Sequence, residues 1–373
     1  GVSTWSGLFA WLYDNVDGDL ATAWDNRADS ASNFTATLNE LGKNDDYNGK
    51  QVQAAAREWM EGIGVSDASV QAANEAATKL IERFLDGKVK GSAIDGYVAG
   101  ATVYIDVNNN GEQDEGEPVT TTDANGNFTF DVDELPDGPI IGFGGTDLAT
   151  GQPFEGEMTA PSGAAVLSPL TTLVQQMMTS NPGRSQAEVE DILFTTLDLP
   201  RVDLSSFDPI QSGLEEGSTR ENQVVAARIQ AVTSQLVNAM NVSKAVNSKV
   251  SADADGSKGF ISALADRLDE AAGNGDIVRL DDEAELTEVV KKSVEKSGAI
   301  NENSTAEERE RADNLSGKAA AAIRDVNVKS REAVDELENN DDTDIVDTLS
   351  DVFKLQTLTQ TEVAPSFLES EDD

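Results

Sequence analysis

Cysteine and histidine are both absent from the 373 residues. Without them the chain has no Cys/His zinc site, no histidine-held haem, no disulfide staple, and neither a Ser-His-Asp nor a Cys-His nucleophile. Aromatic residues make up only 5% of the chain, so its cores must rest on Leu, Val, Ile and Ala. Basic residues are scarce too: 27 Lys and Arg stand against 69 Asp and Glu, a formal net charge of −42. Such a chain repels nucleic-acid phosphates and anionic lipid, which excludes both as partners. No apolar run approaches the roughly 20 residues of a membrane helix, so no membrane insertion is expected. The chain opens at Gly1 with no signal-peptide pattern and reads as a processed or excised segment.

What remains for catalysis is thin. Carboxylates are so abundant that no pair stands out. Ser293-Val294-Glu295-Lys296 spells S-x-x-K, but in a helical stretch without the partner motifs of a penicillin-binding enzyme. There is no phosphate loop and no dinucleotide fingerprint, and the chain is expected not to be an enzyme. Asn33, Asn127, Asn241, Asn303 and Asn314 head N-x-S/T sequons, about as many as chance supplies. The excess of carboxylates suits a salty medium, or one whose divalent cations screen the self-repulsion. The expected setting is therefore extracellular or at the cell surface of a prokaryote, in marine or saline surroundings.

Three regions separate by periodicity, and a tail follows them. Residues 1–90 read as helical. Trp5, Leu8, Phe9 and Leu12 share a face, Gln51 to Gly62 is a second candidate helix, and Ser66 to Leu85 is a third. Trp5, Trp11, Trp24 and Trp59 fit helix cores better than sugar-stacking platforms. Residues 91–167 switch to a period of two. Strands are expected within Tyr97–Ile105 around a Gly100 break, at Val119–Thr122, Asn127–Phe130, Ile140–Phe143, Phe154–Met158 and Ala165–Leu167. Asn125-Gly126 between alternating residues predicts a hairpin.

Residues 168–363 return to helical spacing, and 364–373 read as an acidic tail. Ser168-Pro169 is a helix start, and Ser185–Glu188 and Ser218–Glu221 spell capping boxes. Leu315, Ala319, Ile323, Val326, Ser330, Val334 and Leu337 form the narrow apolar seam of one long helix. Leu355 to Val363 is Thr-rich and compatible with an extended strand, even one donated to a neighbouring subunit.

One segment carries specific chemistry. Asp106 to Glu117 reads D-V-N-N-N-G-E-Q-D-E-G-E, which meets the twelve-residue calcium loop at its important offsets. Asp106, Asn108 and Asn110 take positions 1, 3 and 5, and Gly111 takes the sharp turn at 6. Glu112 at 7 would offer its carbonyl, Asp114 stands at 9, and Glu117 would close the shell at 12. Alternate side chains of a tight loop converge on one point, and calcium wants about six to eight oxygens there. Ile105 before the loop and Pro118 after it place it between strands, so a static Ca2+ site is expected and not a helix-opening sensor. Asp14–Asp19, Asp123–Asn127, Asp253–Gly256 and Asn339–Asp342 are also rich in Asp and Asn, but read as polar turns.

The run Ile94–Asp106, then Gly116-Glu117-Pro118, then Thr121–Phe128, resembles the calcium-binding B-type and carboxypeptidase-regulatory-like modules of large bacterial surface, adhesin and matrix proteins. Thr146-Asp147, Ser168–Val174 and Phe207–Ile210 are similar to stretches that follow such modules in giant secreted proteins of marine bacteria. The resemblance covers residues 94–175 and, loosely, 176–215. It implies a prealbumin-like sandwich that acts as a spacer, with Asp106, Asn108, Asn110, Asp114 and Glu117 as metal ligands. The expected fold class is thus α+β multidomain, a small prealbumin- or Ig-like β-sandwich flanked by all-α regions. The expected function is a non-catalytic structural subunit that assembles with copies of itself into a surface layer, filament or biofilm matrix. The alternative is an adhesin or glycan-binding module whose partner is a cell-surface polysaccharide.

Overall fold

The computed structural model describes residues 88–132, 136–252, 254 and 256–369. The helices expected up to Leu85, the four tryptophans and the Asp14–Asp19 turn lie outside these residues. The chain divides into two compact units, residues 1–90 with 129–137 and residues 91–128 with 138–373. The second unit combines short strands with long helices, so the fold is mixed α+β.

The strands are β1 (Lys88–Ala93), β2 (Val98–Ala99), β3 (Thr102–Ile105), β4 (Val119–Thr121), β5 (Asn127–Asp131), β6 (Ile140–Phe143), β7 (Thr146–Asp147), β8 (Glu157–Ala160) and β9 (Val166–Leu167). They make a four-stranded sheet in the order β4-β3-β6-β8, a three-stranded sheet β5-β1-β9 and a β2-β7 pair. The four-stranded sheet is antiparallel, with Val103 opposite Thr120 and Gly142, and Ile141 opposite Thr159. β1 runs parallel to β9, with Ser92 opposite Val166. Gly142 has a packing reason: a Cβ there would stand 2.4 Å from Leu167 Cδ2, so glycine lets β6 approach the side chain of β9.

The Asn125-Gly126 turn forms, but the hairpin does not. Asp123 Oδ1 accepts the backbone N–H groups of Asn125 and Asn127, and Asp123 N–H donates to the Asn127 carbonyl. Beyond that closure the two strands part, β4 to β3 and β5 to β1. Thr122 is the cause on the β4 side. Its buried hydroxyl accepts from Ala101 N–H and donates to the Val98 carbonyl, which ties the strand end to the β2–β3 turn. Local turn chemistry fixed the reversal, and a non-local hydrogen bond decided the pairing.

The helices are α1 (Pro169–Ser180), α2 (Gln186–Thr196), α3 (Pro209–Leu214), α4 (Arg220–Val250), α5 (Gly256–Asn274), α6 (Glu283–Lys296), α7 (Ala306–Asn339), α8 (Ile345–Leu358) and α9 (Ala364–Glu369), with a π-helical turn over Thr359–Val363. Ser168 and Ser185 cap α1 and α2 as their capping boxes require, and Pro169 fills the first position of α1. At α4 the cap is Thr219, one residue after the expected Ser218, and its hydroxyl takes the Asn222 N–H. α4 is buried on most of its circumference from Ala226 to Asn247, so it runs through the middle of the bundle. α7 presents the expected seam: Ala319, Ile323, Val326, Ser330, Val334 and Leu337 are buried. One core gathers Leu170, Leu173, Leu236, Phe260, Leu264 and Leu268 among others.

Where α4 meets α7 the seam turns polar. Asn238 donates to the Asn327 side-chain oxygen at 3.0 Å, and Asn327 Nδ2 donates to the carbonyls of Gln235 and Leu280. Gln235 returns a bond to the Asn327 carbonyl. Asn238 Oδ1 has no partner among the described residues, but the reciprocal bonds between Gln235, Asn238 and Asn327 fix the register of the two helices.

The Leu355–Val363 segment is helical, not extended. It completes α8 and the π turn, and it buries Gln356 and Thr359. Residues Ala364–Glu369, within the stretch read as a tail, form α9 and bury Ala364 and Phe367. Among the described residues no helix is long and apolar enough to cross a membrane.

Candidate functional site

The loop from Asp106 to Glu117 leaves β3 and returns to β4. Its first residue is anchored from both sides. Asp106 is buried, its N–H donates to the Pro139 carbonyl, and Ile105 N–H donates to the Pro118 carbonyl across the neck of the loop. The Asp106 carboxylate then turns into the loop. Oδ1 accepts from Asn110 N–H at 3.1 Å and Oδ2 from Gly111 N–H at 2.8 Å. The chain can reverse there because Asn109 and Gly111 take positive φ, 57° and 78°. Both residue types tolerate that conformation.

The far side closes the ring. Asn108 and Asn110 each donate a side-chain N–H to Asp114 Oδ2, both at 2.7 Å. Glu117 uses both carboxylate oxygens, one on Val107 N–H at 2.7 Å and the other on Asp114 N–H at 3.0 Å. Five of the six expected residues, Asp106, Asn108, Asn110, Asp114 and Glu117, are therefore joined in one hydrogen-bonded ring. Glu112 joins it through its backbone N–H, which donates to Asn110 Oδ1. Asp106 is buried and Glu117 half-buried, while Asn108, Asn110, Glu112 and Asp114 are exposed.

The donor chemistry fits a hard cation, since every side chain in the ring offers oxygen. Among the described residues, though, no three carboxylates converge into a ready-made metal cluster. Asp114 instead draws in two amide NH2 groups. Rotating those amides would turn their oxygens inwards, beside the carboxylates of Asp106, Asp114 and Glu117. The field at the loop is already negative. The Tyr104 hydroxyl, just before it, is pushed up to about 12, first by burial and then by the charges of Glu157, Asp106, Glu117 and Glu112.

Asp123 keeps a simpler role. Backbone N–H groups of Asn127 and Asn125 hold its carboxyl below the usual range, as in a turn stabilised by its own aspartate. The Ser293 of S-x-x-K is buried in α6, and its hydroxyl pairs with Ser243 of α4 at 2.8 Å. It is a helix-packing residue.

Sequence reasoning missed a second polar cluster. Asp95, after β1, and Asp147, on β7, are both fully buried. Gln356 of α8 donates Nε2 to Asp95 Oδ1 at 2.8 Å and to Asp147 Oδ2 at 3.3 Å. Gln230 of α4 donates Nε2 to the Asp95 carbonyl at 2.8 Å. Asp147 also accepts from Ala149 N–H and the Thr150 hydroxyl. Burial holds the Asp95 carboxyl well above the usual range, and the charge of Asp147 adds to this against the Gln356 hydrogen bond. Burial raises Asp147 too, against its bonds to Thr150 and Ala149. Asp95 lies in the turn after β1 and Asp147 follows two glycines, so both read locally as turn residues, and their amide partners lie more than a hundred residues away.

No protein-family model, curated protein or solved structure matches this chain.

Proposed function

We propose that this chain is a non-catalytic structural protein of an extracellular or cell-surface assembly, in which calcium held by the 106–117 loop stiffens the strand-rich segment. The observation that carries the reading is the closed ring of Asp106, Asn108, Asn110, Asp114 and Glu117. Asp106, Asp114 and Glu117 would supply carboxylate oxygens, Asn108 and Asn110 amide oxygens, and Glu112 its carbonyl. The ion would supply charge neutralisation and a rigid joint between β3 and β4. It would not take part in a reaction.

The segment 91–167 is taken to be a small sandwich of the prealbumin-like kind, with the β4-β3-β6-β8 sheet packed on β5-β1-β9. The approach of Leu167 to Gly142 supports this reading. The net charge of −42 opposes contact between copies, so in this reading assembly depends on cations that neutralise the surface between them. The test is electron microscopy of the purified protein in millimolar calcium and then in chelator. Filaments or sheets that need calcium are expected. A monodisperse particle in both conditions overturns the assembly reading and leaves the loop to be judged by its own binding.

A further inference from the structure

We propose that Asp95, Asp147, Gln230 and Gln356 form a second cation site, separate from the 106–117 loop, that takes calcium where the strand-rich segment meets α4 and α8. The cluster is fully buried, and among the described residues it is short of donors. Asp95 Oδ2, Gln230 Oε1 and Gln356 Oε1 are buried with no hydrogen-bond partner there. All three orphans are acceptor oxygens, one on the Asp95 carboxylate itself and two on the amides that donate to Asp95.

Among the described residues no lysine or arginine is a partner of either carboxylate. Asp95 feels the charge of Asp147 and a hydrogen bond from Gln356, and Asp147 is held by Thr150 and the backbone N–H of Ala149 and Thr150. The nearby Lys244 is engaged at 2.9 Å by Glu155. A buried, uncompensated carboxylate pair is costly, and orphaned acceptors add to that cost. A bound cation removes both terms together.

The chemistry selects calcium. All available ligands are oxygens: both of Asp95, Oδ2 of Asp147, and the amide oxygens of Gln356 and Gln230. A half-turn of the Gln356 amide exchanges NH2 for oxygen between the carboxylates without a change in volume. Such a flexible, irregular set suits calcium, whereas magnesium demands a near-octahedral shell and keeps its waters. Asp95 also borders a cavity of about 300 Å³, whose lining includes Gln360, Glu155, Glu157 and Lys244. Gln360 Oε1 there is a further buried acceptor without a partner among the described residues.

Equilibrium dialysis with radioactive calcium on the full chain tests this. The double variant Asp95→Asn/Asp147→Asn is expected to bind one tight calcium fewer than wild type. An equal number overturns the proposal. A second measurement leaves the buried cluster intact. In the loop variant Asp114→Asn/Glu117→Gln, calcium at a hundredfold its Kd is expected to raise the melting temperature by about 5 °C, and magnesium at the same concentration by much less. No residual shift, or an equal shift with both ions, overturns it. Failure of the loop reading shows differently, as a loop variant that binds as many calcium ions as wild type.

Discussion

The strand-rich segment and the helical segment of the second unit are held together by different physics. Between residues 169 and 369 the order comes from apolar seams, with Phe260, Leu264 and Leu268 buried in one continuous core. Between 91 and 167 the strands are two to six residues long, and much of the order comes from carboxylates and amides gripping backbone N–H groups. Apolar burial is nearly indifferent to millimolar calcium, whereas a ring of carboxylates that binds the ion is not. The helical core around Phe260 should therefore ignore calcium, and the strand-rich segment should respond to it.

The largest expected effect breaks the helical side. Phe260→Ala leaves a cavity beneath α5 and should cost about 3–5 kcal/mol, equally in calcium and in chelator, by denaturant unfolding. Asp114→Asn/Glu117→Gln is its counterpart on the strand side. With calcium at a hundred times Kd, the loop site should give the wild type about 2.7 kcal/mol that this variant lacks, while the two differ far less in chelator. Both are read from unfolding midpoints measured in calcium and in chelator.

A third prediction uses pH. Glu190 of α2 is buried, and burial pushes its carboxyl up to about 7, with a hydrogen bond from Gln186 opposing and the charge of Asp203 assisting. The folded state holds this proton more tightly than the unfolded one. Its contribution is complete below about pH 4.3, the ordinary glutamate value, and is lost as pH rises through about 7. Glu190→Gln should therefore be more stable than wild type by about 2–3 kcal/mol at pH 8, with the advantage fading towards pH 4. Paired melts across that range check it. The smallest effect is Ser185→Ala, which deletes the α2 cap and should cost about 1 kcal/mol at any calcium concentration.

The two halves also differed in how far the sequence revealed them. The α7 seam was legible because a long helix repeats its contacts every turn, and residues 315–337 carry that period without a break. The caps at Ser168 and Ser185 were legible because capping acts within four residues. The Asp106–Glu117 ring was legible for the same reason, as all its hydrogen bonds are local. What failed depended on distance along the chain. β4 and β5 part because Thr122 binds Val98 and Ala101, which turn chemistry alone does not reveal. The threonines of Leu355–Val363 left it ambiguous between helix and strand, yet Gln356 there reaches Asp95, 261 residues away, and the segment is helical. The buried Asp95–Asp147 cluster was invisible for that reason.

Hydrogen–deuterium exchange on the full chain, with millimolar calcium and with chelator, tests the central claim most directly. The account predicts that calcium slows exchange most at Val107, Asn110, Gly111 and Asp114 and along the adjoining β3 and β4, while the amides of α5, α6 and α7 stay unchanged. Exchange in the 106–117 loop that is the same in both conditions would contradict it.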